Sequence, residues 1–303
     1  MKIRFFTPLL AFLAAACSPP GMLSALDAAS GGGRGVARIA TAVPFGEHGQ
    51  TLDVWSPDTP PGPHPVVIFF YGGGWVKGTR QDYAFAARAF ASRGFTVVVP
   101  DYRKVPGVRF PVFLQDSADA VKWTRDNVAR FGGDRGRIAL AGHSAGAYAV
   151  AMLTLDKRWL TDAGVDPEII KAAVGLCGPY DFYPFTGRAI AALGAWPRPR
   201  ETQPIAFARA DAPPMLLVTG TKDTTVRPKN AINLARALKA LGAPVVLRNY
   251  EGLDHEDVAM ALSKPFRSKG SVLADSVAFI DAALARHVSP PAKKGAMDRA
   301  TGR

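Results

Sequence analysis

Short apolar runs alternate with segments of helical periodicity along most of this 303-residue chain. Apolar residues occupy successive positions in these runs, which is typical of strands buried on both faces of a sheet. Strands separated by helices predict an α/β fold, with a mostly parallel central sheet and helices on both faces. The predicted strands span residues 39–43, 52–55, 66–70, 96–99, 137–141, 172–176, 215–219 and 245–249. The predicted helices span residues 82–92, 113–131, 145–153, 229–241 and 271–287.

A serine-containing motif, GHSAG at residues 142–146, lies between a predicted strand and a predicted helix. Small residues on both sides of the serine permit the tight turn of a nucleophile elbow, which raises the hydroxyl above the sheet at a helix N-terminus. The five-letter pattern alone also occurs by chance, so the strand before it and the helix after it carry the argument. Ser144 is therefore the predicted nucleophile.

A serine nucleophile needs a general base, and the chain has five histidines. Two of them, His48 and His64, precede the first buried strand, and His287 lies near the end of the last helix. His143 lies inside the elbow, where the turn directs its side chain away from the serine. His255 remains, in the loop after the strand at 245–249, at the same carboxyl edge of the sheet as Ser144.

The base in turn needs a carboxylate that fixes its tautomer. Asp223 follows the strand at 215–219 and gives the chain order Ser, Asp, His that is typical of hydrolases with this elbow. The alternatives are a purely turn-forming role for Asp223 and a different carboxylate partner. The competing carboxylates are Asp254, Asp257 and Glu251.

Three consecutive glycines follow the strand at 66–70, in the sequence YGGGW at residues 71–75. Without a Cβ, the backbone of this turn can direct its amides toward a bound anion. We predict an oxyanion hole formed by the amides of Gly73, Gly74 and Ala145. Trp75 and His143, which flank these groups, are predicted substrate contacts.

The N-terminus has the pattern of a secretory signal. Lys2 and Arg4 precede an apolar stretch at residues 5–16 that is too short to span a bilayer comfortably. The small residues before Cys17 resemble a bacterial lipobox and predict lipidation of Cys17; the alternative is ordinary cleavage after Ala16. We expect a protein exported from a bacterial cytoplasm, either periplasmic or anchored to a membrane through Cys17.

The expected organisation is a signal at 1–17, a flexible tether at 18–38, a catalytic domain at 39–288 and a disordered basic tail at 289–303. The second of the two cysteines, Cys177, is expected to be a buried core residue. The formal net charge is +12, but no run of Lys and Arg is interleaved with aromatic residues, so no nucleic-acid partner is predicted.

Four motifs together resemble the bacterial α/β-hydrolase esterases related to hormone-sensitive lipase and the kynurenine-formamidase-like enzymes. They are YGGGW at 71–75, PDYR at 100–103, GHSAG at 142–146 and GTKD at 220–223. The resemblance extends over about residues 43–287 and implies the α/β-hydrolase fold with a small or absent cap between residues 176 and 215. It also implies structural roles for Asp101, Arg103 and Asp116. The first motif usually begins with His in that family, so Tyr71 raises the question of how the glycine loop is supported.

These observations predict a serine hydrolase that cleaves carboxylic esters through an acyl-enzyme on Ser144. The alternatives are a formamidase or other small amidase with the same triad, and a non-catalytic surface lipoprotein with a hydrolase-like fold. We expect a small ester substrate and neither a metal nor an organic cofactor. The sequence indicates no oligomeric state.

Overall fold

The computed structural model describes residues 18–58 and 62–286, and these form an eight-stranded sheet with helices on both faces. The strand order is β1-β2-β4-β3-β5-β6-β7-β8. The strands are β1 (Val36–Phe45), β2 (Gln50–Pro57), β3 (His64–Phe70), β4 (Thr96–Pro100), β5 (Gly133–His143), β6 (Ile170–Leu176), β7 (Met215–Gly220) and β8 (Val245–Tyr250). The prediction of a mostly parallel α/β sheet is confirmed.

Nine α-helices connect or flank these strands in the described part of the chain. They are α1 (Pro19–Ala29), α2 (Ala84–Ala91), α3 (Val112–Asn127), α4 (Ala145–Leu155), α5 (Arg158–Asp162), α6 (Arg188–Leu193), α7 (Lys229–Ala240), α8 (His255–Met260) and α9 (Val272–Ala285). Helix α4 is buried over its whole length, because it packs against β5 and β6. None of the described helices is both long enough and apolar enough to cross a membrane.

The direction of the strands determines where the functional loops meet. Strands β3 to β8 pair in parallel, whereas β1 and β2 join the edge in antiparallel pairs. Every residue of β4 and β7 is buried, as the continuous apolar runs in the sequence predict. The loops after β3, β5, β6, β7 and β8 therefore open at one edge of the sheet.

The predicted flexible tether at residues 18–38 is wrong. Helix α1 begins after Ser18, whose hydroxyl accepts a hydrogen bond from the N–H of Gly21, and β1 already begins at Val36. The buried carboxylate of Asp27 accepts a hydrogen bond from Arg88 Nε at 2.7 Å and another from the N–H of Lys264 at 2.7 Å. Prolines in the first helical turn cost nothing, since their missing N–H groups have no helical partner there. The composition of this segment concealed these contacts, because they depend on residues far along the chain.

Three polar residues with predicted structural roles have them. Arg103 pairs with the buried carboxylate of Asp116, with 2.7 Å between Nη2 and Oδ1. Asp101 pairs with Arg80, which also donates to Asp53 at 2.8 Å. These pairs join helix α3 and strand β2 to the loop after β4. Pairing is needed at these positions, because a buried charge without a partner is strongly destabilising. The predicted signal at 1–17, with Cys17, and the predicted tail at 289–303 lie outside the described residues.

Candidate active site

The nucleophile elbow lies between β5 and α4. Ser144 has φ of +55°, in the left-handed region that non-glycine residues rarely adopt. Its N–H donates to the carbonyl of Leu176 at 2.8 Å, which ties the turn to β6. A Cβ on Gly146 would lie only 2.0 Å from the carbonyl oxygen of Phe70, so only glycine permits this approach of helix to strand. The structure therefore places Ser144 in the strand-turn-helix context that the sequence predicts.

Three side chains from three different strand ends form one chain of hydrogen bonds. Ser144 Oγ lies 2.9 Å from His255 Nε2, and His255 Nδ1 lies 2.8 Å from Asp223 Oδ2. The carboxylate can only accept, so Nδ1 carries the proton and Nε2 is free to accept the proton of the serine hydroxyl. The elbow serine, the base and the orienting carboxylate predicted from the sequence thus meet in space.

The electrostatics of Asp223 keep it ionised. Burial raises the pKa of this carboxyl, but the hydrogen bond and charge of His255 and the N–H of Val226 outweigh burial and hold the pKa below its ordinary value. Its Oδ1 accepts from the N–H groups of Thr225 at 3.0 Å and Val226 at 2.8 Å. One oxygen therefore anchors the carboxylate to its own turn while the other orients His255.

The competing carboxylate beside the base has another role. Asp254 is the N-cap of α8, and its side chain accepts from the N–H of Asp257 at 2.8 Å. The side chain of Asp257 in turn bonds to the N–H of Asp254, which completes a capping box. Asp254 and Asp257, the two alternative carboxylate partners named from the sequence, thus fix the start of the helix that carries His255.

The glycine loop after β3 has the backbone that the oxyanion-hole prediction needs. Gly73 has φ of +134° and Gly74 has φ of +61°, and a Cβ on Gly73 would lie 2.1 Å from the carbonyl oxygen of Lys77. Within residues 18–58 and 62–286, no hydrogen bond uses the N–H of Gly73, Gly74 or Ala145 as its donor. Free amides at a turn and at a helix N-terminus are suited to a developing anion. The assignment of these three donors stays a prediction that this geometry supports.

Tyr71 supports the glycine loop in place of the histidine that the resemblance leads one to expect. Its hydroxyl donates to Asp101 Oδ1 at 2.9 Å and accepts from Lys104 Nζ at 3.0 Å. Its ring stacks on that of Tyr102, with 4.7 Å between centroids, and the Tyr102 hydroxyl donates to the Tyr71 carbonyl at 2.9 Å. The loop is thus held at its first residue by both side chain and backbone.

Trp75 closes the glycine loop and is almost wholly buried. The indole stacks on Phe182 with 6.2 Å between centroids and meets the edge of Tyr148 at 5.4 Å. Phe182 belongs to residues 177–214, between β6 and β7, which we call the cover segment. Trp75 therefore joins the loop to the cover segment, and its contact with a substrate stays a prediction.

The predicted substrate contact of His143 is wrong. Its ring is buried, Nδ1 lies 2.9 Å from the Tyr83 hydroxyl, and Nε2 lies 3.1 Å from the backbone carbonyl of His255. The carbonyl can only accept, so Nε2 donates to it and Nδ1 accepts from Tyr83. His143 therefore fixes the backbone of the catalytic base and has no nitrogen left for a substrate. The sequence correctly predicts that this ring points away from Ser144, but it does not show which groups hydrogen-bond to the ring.

His143 should make the protein sensitive to mild acid. Burial, with a further contribution from His255, lowers the pKa of His143 from 6.5 to about 3. The unfolded chain binds a proton at this position below about pH 6.5 while the folded chain does not, so stability falls as the pH falls. Between about pH 7 and pH 5.5 this group alone should remove about 1 kcal/mol from the free energy of unfolding. Urea unfolding of the wild type and of His143→Asn at both pH values measures the difference; equal pH dependence of the two proteins would contradict it.

Cys177 lies next to this histidine pair. Its thiol is buried, and burial together with the charge of Asp223 raises its pKa well above the ordinary value, so it stays protonated as expected of a core cysteine. Ligand atoms of His143, Cys177 and His255 lie within 4.8 Å of one another. All four imidazole nitrogens of the two histidines are engaged by protein groups, an arrangement that serves the triad rather than a metal ion.

The fold and the three linked side chains define a protein of the α/β-hydrolase fold with a Ser-His-Asp triad. Comparison with known sequences gives its family: the BD-FAE family model matches residues 52–238, which include Ser144 and Asp223, and the chain belongs to this family. Esterase LipC of Mycobacterium tuberculosis is 35% identical over 214 residues, which are 63% of this chain and 53% of LipC. This chain therefore spans about half the length of that relative.

Solved structures show the same fold. The esterase of Pyrobaculum calidifontis superposes with a TM-score of 0.67 at 23% identity, covering 91% of this chain and 98% of that one. Thermogutta terrifontis esterase 2, in a structure phosphonylated by sarin, superposes with a TM-score of 0.66 at 23% identity, covering 82% of this chain and 92% of that one. These likenesses confirm the α/β-hydrolase fold that the four motifs imply.

Proposed function

We propose that this protein is a serine carboxylesterase that works through an acyl-enzyme on Ser144. The observation that carries the proposal is the continuous hydrogen-bond chain from Ser144 Oγ through His255 to Asp223, with distances of 2.9 and 2.8 Å. A serine hydroxyl is a weak nucleophile until a positioned base removes its proton, and this chain supplies the base and its orienting carboxylate. Relatives and structural neighbours that are named esterases support the same chemistry.

Acylation follows from this geometry. His255 Nε2 takes the proton of Ser144 as Oγ attacks the ester carbonyl, and the carboxylate of Asp223 stabilises the imidazolium that forms. The carbonyl oxygen becomes an oxyanion and accepts hydrogen bonds from the amides of Gly73, Gly74 and Ala145; each such donor typically lowers the barrier by about 3 kcal/mol. His255 then gives its proton to the departing alcohol, which leaves the acyl group on Ser144.

Deacylation uses the same groups a second time. Water takes the place of the alcohol, and His255 removes its proton as the oxygen attacks the acyl carbon. The second oxyanion collapses, the carboxylic acid leaves, and the proton on His255 returns to Ser144 Oγ. The chain's own residues therefore complete the cycle.

A fluorophosphonate tests the proposal directly, because it traps a nucleophilic serine as a stable phosphonyl ester. We expect the wild type to gain the mass of one phosphonyl group, located on the peptide that contains Ser144. Its turnover of p-nitrophenyl butyrate should disappear at the rate at which the label is incorporated. Ser144→Ala, treated identically, should gain no mass. A folded wild-type protein that stays unlabelled, or a label on another serine, would contradict the proposal.

We also propose that the protein is exported and lipidated on Cys17. The charged start, apolar stretch and small residues before Cys17 support export. Since α1 begins at Pro19, only Ser18 would separate a lipidated Cys17 from the folded domain. Intact-mass measurement of the protein from a bacterial membrane fraction tests this, and an N-terminus that carries no lipid would refute the lipidation.

A further inference from the structure

A positively charged side chain lies over the predicted oxyanion loop. Arg188 is the first residue of α6, in the cover segment, and its side chain passes across the open face of Gly74. A Cβ on Gly74 would lie 2.8 Å from Arg188 Cδ and 3.5 Å from Arg188 Nη1. The Arg188 side chain thus lies beside the loop whose amides are assigned to the oxyanion.

The guanidinium of Arg188 has no carboxylate partner within the described residues. The three acidic residues of its own cover segment are all engaged elsewhere. Asp181 accepts from Asn233, Glu201 pairs with Arg198, and Asp211 pairs with Lys157 and Arg209. Arg188 is exposed, so its charge is available to a molecule that enters the site.

Other arginines around the sheet behave differently. Arg80, Arg88 and Arg103 each bind an aspartate of the protein and so hold loops and helices in place. Arg188 forms no such ion pair within the described residues, and its side chain lies beside Gly74 of the predicted oxyanion loop. A guanidinium presents a planar fork of N–H donors that fits a carboxylate in two parallel hydrogen bonds.

The cover segment exposes two large apolar side chains within five residues of Arg188. Tyr183 and Ile190, on the same cover segment, are 58% and 57% exposed, and the edge of the Tyr183 ring meets Phe185 at 5.3 Å. A cation on a segment that also exposes aromatic and aliphatic side chains suits an organic anion with an apolar body better than a small hydrated ion.

We propose that Arg188 binds a carboxylate carried by the substrate, so that the preferred esters bear a carboxylate in addition to the ester group. The proposal rests on the esterase function of Ser144 and adds the substrate class. The side chain acts on specificity: it attracts and orients the anionic ester and takes no part in proton transfer. Its contribution should weaken at high salt, because the guanidinium is exposed.

A pair of matched esters tests the proposal. 4-Acetoxybenzoate carries a carboxylate across the ring from the ester, and methyl 4-acetoxybenzoate is its neutral counterpart. For Arg188→Gln we expect kcat/KM for the anionic ester to fall about tenfold or more, as for a lost charge-assisted hydrogen bond, while kcat/KM for the neutral ester stays within about twofold. The comparison of both esters on both proteins cancels the different intrinsic reactivities of the esters. The anionic preference of the wild type should also shrink in about 0.5 M salt.

Two control variants make the result specific. Arg200→Gln removes the same charge from another exposed position of the cover segment and should leave both rates unchanged. Arg188→Lys keeps the charge without the fork and should retain part of the anionic preference.

The remaining outcomes separate this proposal from the one on which it rests. Equal losses for the two esters in Arg188→Gln would place Arg188 at the oxyanion or the loop and overturn substrate recognition. Unchanged rates for both esters would also overturn it. A wild type that hydrolyses p-nitrophenyl butyrate but neither of these esters would overturn this proposal alone. A wild type that hydrolyses none of the three would overturn the esterase function itself, and with it this proposal.

Discussion

Replacing Ser144 with alanine is expected to lower kcat for p-nitrophenyl butyrate by a factor on the order of 10⁶. The hydroxyl is the attacking atom, and without it His255 has no proton to accept and no acyl-enzyme can form. Water should still attack the bound ester directly, assisted by the oxyanion amides. This residual reaction should be on the order of 10³ times faster than the uncatalysed one. Steady-state kinetics with purified protein measure both numbers.

The variant should fold normally, so the loss can be assigned to chemistry. Ser144 is partly buried and its hydroxyl bonds only to His255 among the described residues, and the left-handed backbone is as strained for serine as for alanine. Thermal unfolding of Ser144→Ala should match the wild type within a few degrees. Ser92→Ala is a matched control, because that hydroxyl is exposed at the end of α2 and should not affect turnover. A Ser144→Ala protein that keeps about a hundredth or more of the wild-type rate would rule out the proposed nucleophile.

The sequence could predict the triad because its geometry follows from chain order and strand direction. Strands β5, β7 and β8 are parallel, so residues just beyond each strand meet at one edge wherever they lie along the chain. The short apolar runs mark those strands, and Ser144, Asp223 and His255 are the residues of suitable chemistry that follow them. The position of each residue relative to a strand end is therefore enough to predict that the three side chains meet.

The predictions that failed depend on contacts that no local pattern records. Helix α1 has the composition of a linker, and it is held by the pairing of Asp27 with Arg88, which lies 61 residues further along the chain. A Gly, Pro and Ala-rich segment cannot show that a distant arginine will bury its one carboxylate. The role of His143 was missed for the same reason, since its partners Tyr83 and His255 come from separate elements.

The position of Arg188 was also invisible in the sequence. The cover segment is recognisable as an apolar insertion between β6 and β7, but its arginines look alike as letters. What distinguishes Arg188 is the glycine opposite it: Gly74 leaves space where any other residue would place a Cβ against the arginine side chain. The same glycine that frees an amide for the oxyanion therefore also makes room for the cation beside it. The backbone at this position, with φ of +61°, favours glycine, and the absence of a Cβ lets the Arg188 side chain lie against the loop.

Asp223→Asn is expected to lower kcat by about 10⁴ while leaving the fold intact. The asparagine keeps the shape of the side chain, and its amide oxygen can still accept from the N–H groups of Thr225 and Val226. Its NH₂ group then faces His255 Nδ1 as a donor, which forces that nitrogen to accept and moves the ring proton to Nε2. A protonated Nε2 cannot take the proton of Ser144, so the base is present but in the wrong tautomer.

Asp254→Asn is the matched control for this variant. It makes the same chemical change on the residue adjacent to the base, and asparagine is as good an N-cap as aspartate, so α8 should keep its start. We expect its kcat to stay within about twofold of the wild type. Comparable losses in Asp223→Asn and Asp254→Asn would mean that the charge near His255, rather than the hydrogen bond to Nδ1, supports catalysis. A loss confined to Asp223→Asn would show that the carboxylate bonded to Nδ1, and not the carboxylate adjacent in sequence, supports the base.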